Sequence, residues 1–550
     1  CWHHLVWVCR WVGDGLMPLG AAKVALLGAA GSGEDALGYM LFWGDPDGTE
    51  GGQETYPYSL ELLNDGTTVR VGGRWNLNPG GNATQRIAHS NLDMSGGAGV
   101  APTTSTVQTA WSFSITSSTQ EGIYQEQSGQ GLAISAADNF YSTGNVYGAG
   151  SANYWYNLGV IKMNSAGATQ WDVVWRDNHY ASNGLSLAAI WYNESNSIPG
   201  ASAVFTESVA TGVKNRHALW SMSDSDGSIT FQRKLYMGND TVDTGNTMGS
   251  RIIRSNVVGT DVVTVHDYYN ETDAYKNMFT PMRWNHGSSY ITNRYALANT
   301  GIRNISTGGP GITPTGCWQD SSNNSYTAFY FAATAIASGY TPSNIGICKY
   351  NSSGTLQWVY VLRQQAGGVE HSMYSGGIDG DNSNNIYVSG YSTEIGGSNS
   401  AAFIAKLDVS HATVPTLTWI TQVEHAGGHA YSQNCKLVGS DAVVSMGYGT
   451  TDNDSGGTAV VGAVVSLNID GTTLGTGTVD GQAIVARDLS PYIVFATGAS
   501  GGTTNVEIIN QTSNELAQSV DTNLVAGYED TWVNDVPPAE DIVVESGGIT

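Results

Sequence analysis

Residues Ile347–Trp358 read ICKYNSSGTLQW: a short apolar strand interrupted by one Lys, an Asn-Ser-Ser-Gly turn, then a strand carrying Trp. Gly and Asn supply the positive φ that a tight hairpin needs, so the stretch is two antiparallel strands joined by a turn. The same phrase returns as IKMNSAGATQW at Ile161–Trp171 and, with a longer turn, as IAKLDVSHATVPTLTW at Ile404–Trp419. Weaker copies are LWSMSDSDGSITF (219–231), VVSLNIDGTTL (464–474) and VEIINQTSNEL (506–516). RIAHSNLDMSG (86–96), followed by Trp111 after an insertion, belongs to the same set.

A strand ending mostly in Gly or another small residue precedes each copy. Its occurrences are TVRVGG (68–73), NFYSTG (139–144), AVFTES (203–208), VVTVHD (262–267), AFYFAA (328–333), NIYVSG (385–390), AVVSMG (442–447) and YIVFATG (492–498). Repetition every ~50–70 residues marks a modular architecture. Each unit holds three or four short strands, hence one antiparallel sheet with two apolar faces. Such sheets bury both faces when stacked radially about an axis, which is the β-propeller. The expectation is therefore an all-β chain, a propeller of eight blades, with seven as the other count. Trp111, Trp171, Phe231, Trp358 and Trp419 are the expected wedges between blades. YMLFWGD (39–45) resembles the aromatic strand of a unit without its earlier strands, and the unit at about 480–516 has early strands without an aromatic one. Pairing the two chain ends would close the ring and leave no open edge.

Composition agrees and excludes alternatives. The chain has 550 residues, 70 of them Gly, with 10% aromatic residues and a formal net charge of −25. That charge is the wrong sign for neutralising phosphates, so no nucleic-acid partner is expected. No stretch approaches the ~20 apolar residues of a membrane span. Cys1, Cys9, Cys317, Cys348 and Cys435 form no CxxC pattern and read as free, buried thiols. Residues 1–36 read as an N-terminal arm, of which 1–16 precede a plausible start at Met17. Residues 37–516 are the propeller, and 517–550 continue an acidic tail with no Lys or Arg.

GDNSNNIYVSGYST…AAFIAKLD at 380–408, with SSGTLQW at 352–358, resembles the bacterial β-propeller repeat called SBBP. The stretch MPLGAAKVALLGAAGSG at 17–33 resembles the opening of virion structural proteins of marine tailed phages. Together these resemblances imply a particle-associated or surface protein, with no enzymatic activity attached to the repeat.

Motifs for catalysis are sparse: HExxH, GxSxG, Walker A and CxxC patterns do not occur. Asp379, Asp381, Ser383 and Asn385 space oxygen atoms as calcium loops do, but the distal bidentate Glu is missing, which favours a plain turn. No cofactor or metal is expected. One constellation stands before the first strand of several units: Tyr56, His179, His371 and His429. In a propeller these linkers surround the channel mouth on one face, where such a ring could bind a metal or anion, sense pH, or simply bond neighbouring backbone. Loops such as NYWYN (153–157), DYYNETDAYKN (267–277) and WQDSSNNSY (318–326) combine aromatic rings with amides and carboxylates, as sugar recognition does. The expected function is non-enzymatic: a virion or tail-associated structural protein displaying loops on a rigid ring. Its expected partners are other virion proteins or a host-surface glycan. A secreted or cell-surface binding module and a propeller glycoside hydrolase are the competing readings.

Overall fold

The computed structural model describes residues 36–43, 54–76, 85–113, 122–124, 131–148, 155–177, 186–209, 212–237, 246–253, 257–258, 261–270, 276–286, 291–296, 300–304, 312–332, 342–397, 399–411, 414–426, 428–440, 442–452, 458–479, 481–497, 506–510, 516–520, 524–526, 532–535 and 544–550. All of them lie in one compact unit, Ala36–Thr550. Residues 1–35 of the expected arm and His179 lie outside the described residues. Among the described residues the regular structure is β, apart from one 3-10 turn at Ser490–Tyr492. Among the described residues no helix is long and apolar enough to cross a membrane.

The strand pairing groups these residues into seven four-stranded antiparallel blades. Blade 1 is Glu54–Leu62, Thr68–Asn76, Gln85–Asp93 and Thr103–Phe113. Blade 2 is Leu132–Ile134, Phe140–Gly148, Trp155–Met163 and Thr169–Asp177. Blade 3 is Ser186–Asn193, Ile198–Val209, Gly212–Met222 and Ile229–Met237. Blade 4 is Asn246–Ile253, Asp261–Asn270, Lys276–His286 and Thr300–Asn304. Blade 5 is Thr313–Gln319, Ser325–Ala332, Ser343–Tyr350 and Leu356–Ala366. Blade 6 is Met373–Gly380, Asn385–Thr393, Ser400–Asp408 and Thr416–His425. Blade 7 is Asn434–Val438, Ala442–Asp452 and Thr458–Asn468, completed by Gly38–Trp43 from the start of the unit.

The first strand of each blade is innermost, and each touches the next all the way round, from blade 7 back to blade 1. This ring of inner strands makes the fold a propeller closed by its two ends. Gly38–Trp43 pairs on one side with Thr458–Asn468 and on the other with Val544–Ile549. Sequence reading had this strand complete the unit at 480–516; the structure gives it to the unit before.

The stretch counted as an eighth blade does something else. Beyond Asn468 the chain forms a belt around the circumference. Gln482–Asp488 pairs with the outer strand of blade 6 and Ile493–Thr497 with that of blade 5. Val506–Asn510, Leu516–Val520, Leu524–Ala526 and Trp532–Asp535 follow on blades 4, 3, 2 and 1. Val544–Ile549 ends the circuit on blade 7. The belt thus runs round the ring opposite to the order of the blades and adds a fifth strand to each. Residues 516–549, which sequence reading placed almost wholly in an acidic tail, supply four of these strands. A strand at an outer edge needs the same alternation and β-branched residues as a blade strand, so the two uses look alike in sequence.

Apolar layers fill the spaces between blades. One joins blades 5 and 6 through Ile347, Trp358, Ile386 and Phe403; another joins blades 6 and 7 through Trp419, Val423, Val443 and Val465. The repeated phrase builds a clasp in these layers. Tyr141, Tyr326 and Tyr387 on second strands lie opposite Lys162, Lys349 and Lys406 on third strands. Those lysines lie opposite Trp171, Trp358 and Trp419. Each ammonium sits 5.2–5.5 Å from its Tyr ring centroid, within cation–π range. The clasp then reaches across: Lys162 Nζ and Trp171 Nε1 both donate to the Asp224 carbonyl of blade 3, each at 2.9 Å. Lys406 and Trp419 donate likewise to the Ile469 carbonyl of blade 7, at 3.4 and 3.0 Å. Trp171, Phe231, Trp358 and Trp419 are buried, as wedges should be, and Cys317, Cys348 and Cys435 are buried.

Candidate aromatic site at the channel mouth

Inner strands start at the face where the chain arrives from the previous blade. There the backbone bulges by one residue, between Pro57 and Ser59 in blade 1 and between Ser375 and Gly377 in blade 6. The bulge presses the inner strand onto a glycine of the second strand. A Cβ on Gly73, Gly390 or Gly447 would stand 2.2, 2.0 or 1.6 Å from the carbonyl oxygen of Tyr56, Tyr374 or Tyr431. Only glycine permits that approach. The contact also aligns the blades: Tyr56, Tyr374 and Tyr431 occupy one equivalent position in blades 1, 6 and 7.

The candidate ring therefore resolves unevenly. Tyr56 sits on this rung, stacked on Tyr58 with centroids 6.1 Å apart. His429 lies two residues before the rung and His371 three, so the three do not share a position. His371 lies opposite Gln364 in a hairpin on the outer side of blade 5. His429 spans two blades: its Nδ1 accepts the Ser400 N–H of blade 6 at 2.9 Å, and its ring stacks on Tyr431 at 5.8 Å.

What gathers at the mouth is a row of half-buried rings across three blades. Tyr330 of blade 5 meets Tyr374 edge-on at 5.2 Å, and Tyr374 stacks on Tyr391 at 4.7 Å with 17° between planes. Tyr391 meets Tyr431 edge-on at 4.7 Å, and His429 ends the row. Sequence reading missed Tyr330, Tyr374 and Tyr391. The signal was present, since each lies one residue from a position fixed by the bulge, but the bulge itself has no sequence mark.

Two carboxylates stand at the same end of blade 6 as Tyr374 and Tyr391. Glu424 stands one residue before the end of the outer strand, with Arg487 Nε 3.1 Å from its carboxylate, and Glu394 lies in the turn after the second strand. Burial raises the Glu424 pKa, against the pull of Arg487. Burial, then the charge of Glu424, raises that of Glu394. His425 Nε2 donates to the His429 carbonyl at 2.9 Å, and burial holds the His425 pKa down. The calcium-type spacing on this blade folds as a turn. Asp381 accepts the N–H groups of Ser383 and Asn385 at 2.7 and 3.0 Å, and Asp379 accepts that of Leu437 at 2.9 Å. Asp320 in blade 5 makes the same turn.

The depressed histidines set a pH response. His89, buried between blades 1 and 2, is held well below its ordinary value by burial and by the charge of Arg70. Below about pH 6.5 the unfolded chain protonates both His89 and His425 while the folded protein does not, so the unfolded state binds more protons. Their contribution is complete above that pH and is lost as pH falls. The raised carboxylates act with opposite sign, since protonation relieves their burial at lower pH. We expect the thermal midpoint to fall between pH 7.5 and 6, and His425→Gln to flatten that slope. An unchanged slope in the variant would remove His425 from the account.

No family model matches the chain, and no curated protein matches it. Among solved structures it is similar to a subtype N11 neuraminidase-like protein of A/flat-faced bat/Peru, with 11% identity and TM-score 0.32, covering 62% of this chain and 86% of that one. It is similar also to the α-L-arabinofuranosidase arb93a of Fusarium graminearum, with 10% identity and TM-score 0.35, covering 61% and 92%. A leech intramolecular trans-sialidase gives 12% identity and TM-score 0.31, covering 77% and 68%. Likeness at this level bears on neither ligand nor activity.

Proposed function

We propose that the chain is a non-enzymatic binding protein, a rigid ring that takes carbohydrate across the row Tyr330–Tyr374–Tyr391–Tyr431–His429. The row itself carries the reading. Tyrosines offer flat apolar faces to sugar C–H groups and hydroxyls for hydrogen bonds, and half-burial holds them in place before a ligand arrives. The net charge of −25 disfavours an acidic ligand at long range. The setting we favour is a phage particle, where many copies would turn weak contacts into avidity. A secreted or cell-surface setting would use the same row, and neighbouring tail or capsid genes distinguish the two.

A glycan array with the full chain tests the proposal. Tyr374→Ala and Tyr431→Ala should each weaken retention of the bound glycan about tenfold, the loss of roughly 1.4 kcal/mol of stacking. No glycan retained, or variants that bind as the parent does, would overturn it. One observation favours a second reading: Glu394 and Glu424 form a carboxylate pair of raised pKa on the same face, and glycoside hydrolysis uses two carboxylates. Release of a chromogenic aglycone, abolished by Glu394→Gln, would replace binding with hydrolysis.

A further inference from the structure

The layer between blades 1 and 2 differs from the others in its charge. At the rung where blade 2 pairs Tyr141 with Lys162, blade 1 pairs Arg70 with Asn91. The cation has moved from the third strand to the second. Arg70 is fully buried, its guanidinium carbon 3.5 Å from the Phe140 ring centroid in blade 2. Its Nη1 donates to Asn91 Oδ1 at 3.4 Å, while Nε and Nη2 are buried with no acceptor among the described residues. The surroundings are Ile87, Leu132, Phe140, Ile161 and Met163, with neutral His89 bonded to Ser142 Oγ at 3.2 Å; Glu61, opposite Arg70 on the inner strand, pairs with Lys436 of blade 7 at 3.3 Å.

The next layer shows what is missing. Lys162 has a counter-charge, Asp224 Oδ1 at 2.7 Å, supplied by the turn between the third and fourth strands of blade 3. The same turn in blade 2 reads Asn164-Ser165-Ala166-Gly167-Ala168. It brings no carboxylate, and Asn164 Oδ1 is spent on the N–H groups of Ala166 and Ala168 at 3.0 and 2.9 Å. A guanidinium remains charged at neutral pH even when buried, and an uncompensated buried charge costs several kcal/mol.

We infer that this layer binds one small monovalent anion, a halide, against the Nε–Nη2 edge of Arg70, in the role that Asp224 plays for Lys162. A single cation balances a single charge, which argues against phosphate or sulfate. The layer is closed to solvent, which argues against an organic acid. Anion binding to the folded state alone stabilises it in proportion to the logarithm of anion concentration above saturation.

Thermal unfolding of the full chain in sodium chloride and in sodium gluconate, at matched ionic strength, tests this. The midpoint should rise with chloride at the expense of gluconate and stay flat in Arg70→Met. In gluconate, Arg70→Met should be at least as stable as the parent, because it removes a charge that gluconate is too large to neutralise. Equal midpoints in the two salts, or the same chloride response in Arg70→Met, would overturn the inference. If Arg70→Met does not fold, a bromide-soaked crystal decides: an anomalous peak touching Arg70 Nη2 supports the site, and no peak there excludes it.

Discussion

Ending the chain at Asn468 yields a protein that no longer folds to a stable monomer. The truncation removes the fifth strand from every blade and opens seven outer edges at once. It also removes Val479, Ile484, Ala486 and Ile549 from the core between blades 6 and 7. Burial of a Val or Ile side chain is worth about 1.5–3 kcal/mol, so those residues alone contribute on the order of 5–9 kcal/mol. That is comparable to the whole stability of an ordinary protein, about 5–15 kcal/mol. Exposed edges then template pairing between chains. A shorter truncation, after Asp541, removes only Val544–Ile549 and should leave a folded but less stable ring. Light scattering and denaturant titration check both. A monomeric Asn468 truncation with the parent's midpoint would show that the belt decorates the ring without holding it.

Trp419→Ala is the second large effect, a loss of about 3–5 kcal/mol, typical of a buried Trp truncated in a packed core. The indole fills the layer between blades 6 and 7 and donates to the Ile469 carbonyl, so removal leaves a cavity and a carbonyl held only by the longer Lys406 bond. Gly471→Ala attacks the same contact from the other blade. Its φ is +80°, and an added Cβ would stand 2.6 Å from the Trp419 ring. Lys406→Met, which keeps the stem and loses the long 3.4 Å bond, should cost far less. The ordering of these three in denaturant titrations is the check; a Lys406 variant as damaging as the Trp419 variant would move the weight of the clasp to the charge.

The repeat, the antiparallel blades, the Trp wedges and closure by the chain ends were legible because each leaves a local pattern of turn residues and apolar alternation. The belt was not, since YIVFATG at 492–498 has the same pattern as a blade strand and no local feature names its partner. The histidines were aligned by their distance from the next strand. One-residue bulges beside Pro57 and Ser375 shift that alignment and put tyrosines on the shared rung. Arg70 was passed over for another reason. In TVRVGG a period of two sends Val69 and Val71 to one face and Arg70 to the other, which in an ordinary two-sided sheet would be water. In a ring of stacked blades both faces are interior.

The closure at blade 7 has a consequence for how the molecule is made. Gly38–Trp43 finds its partners only when Thr458–Asn468 and then Val544–Ile549 have been synthesised. At about 5–20 residues per second on the ribosome, the first strand waits on the order of 20–90 s. Its contacts span more than four hundred positions of chain, and such long-range closure slows folding. Closure of the ring therefore comes last, and the interval in which Leu41, Phe42 and Trp43 stand uncovered is when a chaperone has most to protect.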